Sequence, residues 1–197
     1  MSAPHNRRIE AIVIGGSAGG VDALAVLLPA LPARLRVPVM VVLHLPREKP
    51  SLLVEIFSRQ CPLTVCEAAD KAPIEPGTVY FAPADYHLLV DRGPCFALSV
   101  DEPVHFSRPS IDVLFETAAD AYGEHLLAVV LTGASQDGAE GLAAVHRAGG
   151  ITVVQEPSEA PAPYMPESAL RASPVDHVLP LAGIAQLIGS LVAAPAP

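Results

Sequence analysis

The sequence is short of several things, and each shortage removes a class of function. It holds three cysteines, Cys61, Cys66 and Cys95, an odd number without CxxC spacing. That pattern gives no disulfide framework and reads as reduced, structural thiols in a cytoplasmic protein. A zinc site through Cys61 and Cys66 lacks the nearby His or Cys pair that would complete a tetrahedral set. Basic residues are scarce: 12 Lys and Arg face 21 Asp and Glu, a formal charge of −9, with no Lys/Arg-rich run. Nucleic acid and anionic membrane surfaces are therefore not expected as partners. No run of about 18 apolar residues exists to span a bilayer, so membrane insertion is not expected. The opening MSAPHNRRIE lacks the apolar stretch of a signal peptide. No internal repeat and no long linker divides the chain. Its 197 residues fit one domain over 1–197, structured from about 9 to 193, with 194–197 as a frayed tail.

What is present is a globular chain, 51% hydrophobic, whose 21 prolines sit mostly between apolar runs. Ile9 to Ile14 reads as a strand and Gly20 to Leu31 as the helix that follows. Val37 to Leu43, VPVMVVL, is a continuous apolar run of the kind buried on both faces of a sheet. Ser51 to Gln60 reads as a helix, and Leu63 to Glu67 and Thr78 to Ala82 as short strands. His87 to Val90 and Cys95 to Val100 face each other across DRGP as a hairpin. Ser110 caps a helix running to about Tyr122, with Asp112 suited to its positive end. Leu126 to Leu131 and Ile151 to Gln155 read as strands around a helix from Gly138 to Ala148. Glu167 to Ala172 and Leu181 to Val192 complete the helices. This alternation predicts an α/β fold, a doubly wound, mostly parallel sheet with helices on both faces and a small β-hairpin.

In such sheets ligands gather beyond the C-terminal ends of the strands. Three polar residues follow three apolar strands: Ser17 after AIVIGG, His44 after VVL, and Asp137 after VVLTGASQ. A serine is a weak nucleophile until an imidazole takes its proton and a carboxylate orients that imidazole. Gly15 to Gly19 also fits G-x-S-x-G, a strained turn that exposes the serine oxygen. Taken singly, Ser17 reads as a helix cap, His44 as a loop histidine and Asp137 as an N-cap. Their shared place at strand ends favours the catalytic reading. A nucleotide site fits less well. The glycines at 15, 16, 19 and 20 miss the G-x-G-x-x-G register, and His44 stands where a ribose-binding acid would close the second strand. A binding module of the same fold, without turnover, is the other alternative.

The residues also resemble a known family. IVIGGSAGGVDAL is similar to the IGAS-T/A-GG-x-x-AL segment of the chemotaxis protein-glutamate methylesterases, the CheB catalytic domain. VVLHLP resembles that family's QH-M/L-P strand end, and RPSIDVLFETAADAYG its helix before the aspartate strand. LTGASQDGAEGL resembles LTGMGxDGAxGL, and VVQEPSEAPAPYMPESAL the loop and M-P-x-x-A helix. The resemblance runs in order from Ile9 to the C-terminal helix. It implies hydrolysis of methyl esters on receptor glutamates, with glutamine deamidation as a second activity and no metal or organic cofactor. Ser17 falls on the nucleophile, His44 on the general base and Asp137 on the orienting acid. Backbone donors for the oxyanion fall near Ala18 and at Ala134. Ala134 and Ser135 replace the family's Met-Gly pair, which alters the lining of the pocket. The partner implied is a methylated chemoreceptor or another methylated signalling protein. The chain starts at the first strand without a receiver domain, so regulation would come from a separate protein.

Overall fold

The structure, a computed structural model, describes residues 8–44 and 52–193. Strand β1, Ala11–Gly16, runs through the centre of a sheet of seven parallel strands. On one side of it lie β2 (Val39–Leu43), then β4 (Thr78–Phe81), then β3 (Thr64–Glu67) at the edge. On the other side lie β7 (Leu126–Val130), β8 (Ile151–Gln155) and β9 (His177–Leu179). The chain thus builds outward from β1 in one direction and later returns to build in the other. That reversal opens a crevice at the C-terminal end of β1, between the ends of β2 and β7.

Alternate residues of the strands feed two separate cores, as the two-residue period of a strand requires. Ile12 and Ile14 face one core with Leu24 and Leu27 of helix α1 (Gly20–Leu27) and Ile184 and Ile188 of α6 (Leu181–Ala193). Ala11 and Val13 face the other, with Leu114 and Phe115 of α3 (Ile111–Tyr122). Leu142 and Val145 of α4 (Ala139–Arg147) and Ala169 of α5 (Tyr164–Ala172) complete that side. Every residue of β1, β2, β7 and β8 is buried, which is why β1, β2 and β7 are continuous apolar runs rather than alternating ones, while β8 also buries Thr152 and Gln155. Helix α2 (Leu53–Ser58) covers the edge near β3, and β5 (His87–Asp91) pairs antiparallel with β6 (Cys95–Ser99) as a separate two-stranded hairpin.

The expected fold class is the observed one; the differences are at element ends and at one short edge strand. The helix expected over Gly20 to Leu31 stops at Leu27 and tightens into a 3₁₀ turn over Leu28–Ala30, where Pro29 cannot supply a backbone N–H. Strand β1 begins two residues later than expected and takes in Gly15 and Gly16. A Cβ on Gly15 would stand 2.3 Å from the Ile111 side chain, so the glycine lets α3 lie against the strand. Tyr164 to Pro166 extend α5 beyond its expected start. The edge strand β9 has only three residues, too few to carry a periodic pattern. Ser51, at the expected start of α2, and the expected tail at 194–197 lie outside the described residues. The three cysteines are free thiols, and burial raises the pKa values of Cys61 and Cys66. Among the described residues no helix is long and apolar enough to cross a membrane.

Candidate active site

Ser17 stands directly beyond β1, half-buried, at the mouth of the crevice. Its N–H donates to Thr132 O at 2.9 Å, and its carbonyl accepts from Gly20 N at 2.8 Å to close the turn into α1. Gly19 takes the left-handed conformation that this turn needs, with φ 79°. On the far side, Gly133 lies so close that an added Cβ would be 2.9 Å from Ser17 Cβ and 2.7 Å from Met165 Cε. Buried Thr132 ties the turn to the loop after β8: its hydroxyl donates to Ala18 O at 3.0 Å and accepts from Ala162 N at 2.9 Å.

His44 occupies the position across from Ser17 on the neighbouring strand. Gly16 pairs in register with Leu43, and His44 N donates to Gly16 O at 3.2 Å. Its imidazole Nε2–H donates to Asp137 Oδ2 at 2.7 Å. Nδ1 is thereby left as the acceptor nitrogen, and Ser107 Oγ approaches it at 3.4 Å. Ser17 Oγ makes no hydrogen bond among the described residues. The structure therefore joins two of the three expected groups, His44 and Asp137, and sets the third on the adjacent strand end.

Asp137 is fully buried, and its carboxylate is almost entirely occupied. Besides His44, it accepts from Ser110 Oγ at 2.8 Å, Ile111 N at 2.7 Å and Asp112 N at 3.0 Å, the opening groups of α3. Burial works against its charge, but the His44 hydrogen bond, the two backbone N–H groups and the His44 charge outweigh that and lower its pKa. An acid held ionised this way fixes both the tautomer and the tilt of the imidazole. The expected oxyanion donors, the N–H groups of Ala18 and Ala134, are at exposed residues and have no protein acceptor among the described residues.

Several residues here were read from sequence only as structure. Ser110 and Asp112 appear as a helix start, yet both touch the site. His105 is one of the chain's seven histidines. It sits at the tip of a tight turn, Val104 to Ser107, beside Asp112 and Gln136. An open depression of about 660 Å³ adjoins this turn, lined by Glu102, Pro103, His105 and Phe106 among the described residues. Arg108 lies two residues before Ser110, the cap of α3. Its guanidinium pairs with Asp85 at 2.8 Å and donates to Val100 O and Asp101 O, pinning the hairpin to the site. His87 is structural, accepting from Ser110 N at 3.1 Å. The signal for Ser107 and Asp112 lay in the segment SRPSID, where three hydroxyl or carboxylate groups precede or open an apolar helix.

A doubly wound parallel sheet with an imidazole–carboxylate pair beside a serine turn, all at the switch point of strand order, defines a hydrolase-type α/β protein. The comparisons make this more specific. The profile of the CheB methylesterase family matches residues 12–188, and the chain belongs to that family. It is 46% identical over 178 residues to a Leptospira interrogans protein provisionally named protein-glutamate methylesterase/protein-glutamine glutaminase, covering 90% of this chain and 92% of that one. It is 39% identical to Protein-glutamate methylesterase/protein-glutamine glutaminase 1 of Hahella chejuensis, over 88% of this chain and 49% of that one. The crystal structure of the Thermotoga maritima CheB methylesterase catalytic domain superposes with a TM-score of 0.88 at 33% identity, covering 93% of this chain and 99% of that one.

Proposed function

We propose that this chain is a serine hydrolase that removes methyl esters from glutamate side chains, with Ser17 as nucleophile, His44 as general base and Asp137 as orienting acid. The observation that carries the reading is the 2.7 Å bond between His44 Nε2 and buried Asp137, at the strand end beside Ser17. Because Nε2 is committed to the acid, Nδ1 is the nitrogen that takes the Ser17 proton. Ser17 Oγ then attacks the γ-carbonyl of the ester. The N–H groups of Ala18 and Ala134 receive the developing oxyanion, each worth about 3 kcal/mol by analogy with other hydrolases. His44 returns the proton to the methoxy oxygen, methanol leaves, and a glutamyl ester on Ser17 remains. His44 next takes a proton from water, whose attack frees the glutamate and restores the hydroxyl. A glutamine amide in the same place releases ammonia by the same sequence.

The substrate protein in this reading is a methylated chemoreceptor or another methylated signalling protein, met in the cytoplasm. No cofactor enters any step. The test is methanol release from methylated receptor by wild type and by Ser17→Ala. The reading expects a loss of several orders of magnitude with the fold retained; near-normal release by the variant overturns it. Ser107 is the built-in competitor, since its hydroxyl already reaches Nδ1. If Ser107→Ala abolishes turnover while Ser17→Ala does not, the nucleophile is on the 104–107 turn.

A further inference from the structure

The chain on either side of Asp137 is gripped by one further pair of side chains, and we propose that this pair, His105 and Asp112, positions the acid of the site. The proposal rests on the reading of Asp137 as the group that orients His44. Asp112 is buried at the start of α3, and its Oδ1 accepts from Gly138 N at 2.9 Å and Gly141 N at 2.7 Å, the opening turn of α4. His105 Nε2 stands 3.4 Å from Asp112 Oδ2, and His105 Nδ1 is 3.1 Å from Gln136 Nε2. The Gln136 Nε2 nitrogen can only donate, so Nδ1 accepts and the ring proton sits on Nε2, aimed at Asp112. His105 thus holds the residue before Asp137, Asp112 holds the residue after it, and the two hold each other.

The grip is also crossed. Asp137 lies just before Gly138, the N-cap of α4, but gives its carboxylate to the first turn of α3, while Asp112 of α3 gives its own to the first turn of α4. A carboxylate at a helix N-terminus is stabilised by the free N–H groups there. Exchanging the two acids means that neither helix can slide without loosening both. The Asp137 oxygen that meets His44 at 2.7 Å is therefore fixed from α3 directly and from α4 through Asp112. A misplacement of about 1 Å in such a group costs roughly 100-fold in rate.

The experiment uses Asp112→Ala, Asp112→Asn and His105→Ala with two readouts: steady-state kinetics on methylated receptor, and the downfield proton resonance of His44 Nε2–H, assigned by its loss in His44→Gln. Asp112→Ala and His105→Ala should lower kcat about 10- to 100-fold with little change in KM, and should weaken or shift the His44 resonance. Asp112→Asn keeps an Oδ1 for both N–H groups of α4 and should recover most of the rate. A folded Asp112→Ala with wild-type kcat and an unmoved resonance overturns the proposal, as does an Asn variant no better than Ala. Should Asp112→Ala fail to fold, His105→Ala decides alone by the same criteria. The resonance needs only the His44–Asp137 bond, so it tests the grip even if wild type releases no methanol and the esterase reading has failed.

Discussion

His44 and Asp137 meet at 2.7 Å through Nε2 and Oδ2, and the carboxylate that makes this bond is held by three further donors from the head of α3. The acid is therefore positioned before any substrate arrives. Asp137→Ala removes a fully buried charge together with its partner's orientation. We predict a fall in kcat of about 10⁴-fold, the size seen when a triad acid is neutralised elsewhere. The same variant leaves Ser110 Oγ and two backbone N–H groups without their acceptor, at a cost of about 1–3 kcal/mol each. Its melting temperature should drop along with its activity. Kinetics and thermal melts of the purified variant check both.

Gly133 supplies a purely steric test. An added Cβ would stand 2.9 Å from Ser17 Cβ and 2.7 Å from Met165 Cε, and only the methionine end is flexible. Gly133→Ala must push the Ser17 turn away from its place. The expected result is a loss of about 1–3 kcal/mol of stability and a disproportionate loss of turnover per folded molecule. A variant that melts lower but turns over normally would show that the Ser17 position tolerates displacement.

Asp112 gives a prediction in pH. Burial first, and then the neighbouring Asp137 charge, push its carboxyl from 3.8 up to about 7, against the pull of the Gly141 and Gly138 N–H groups. The native state thus holds this proton more tightly than the unfolded chain does. Its contribution to stability is complete below 3.8 and is lost as pH rises through about 7. Asp112→Asn removes the titration while keeping an acceptor. Between those two pH values the wild-type melting temperature should fall relative to that of the Asn variant. The lowered pKa of Asp137 acts at the acid end in both proteins and cancels from the difference. Parallel melting curves for the two proteins would contradict the assignment.

Far from the site, Leu24 is fully buried between α1 and the sheet. Leu24→Ala should cost about 2–5 kcal/mol of stability. Turnover per folded molecule should stay at the wild-type level, measured well below the melting temperature, because Leu24 packs on the core beneath α1 rather than in the crevice.

The sheet was legible in the sequence because its central strands are buried on both faces and so appear as unbroken apolar runs such as VMVVL and LLAVV. Helix ends were less legible: Pro29 shortens α1, while Tyr164 starts α5 earlier than its apolar pattern does. At the site, three residues could be picked out because each follows a strand, and strand ends converge in a doubly wound sheet. His105, Ser107 and Asp112 could not be picked out in the same way. They reach the site by a turn and by an exchange of caps between two helices, and neither arrangement leaves a spacing to read. The glycine cluster around Ser17 was visible at once, but its reasons differ by position: Gly15 admits Ile111, Gly19 makes the turn, and Gly20 clears Leu43.

The claim on which the account turns is that a hydroxyl at the end of β1 is the group activated by His44. Labelling with a serine-directed fluorophosphonate, followed by peptide mass analysis, reads this without any receptor substrate. The account predicts one modified peptide, carrying the adduct on Ser17, and no adduct in His44→Gln. An adduct on Ser107, or labelling that survives the loss of the imidazole, would contradict it.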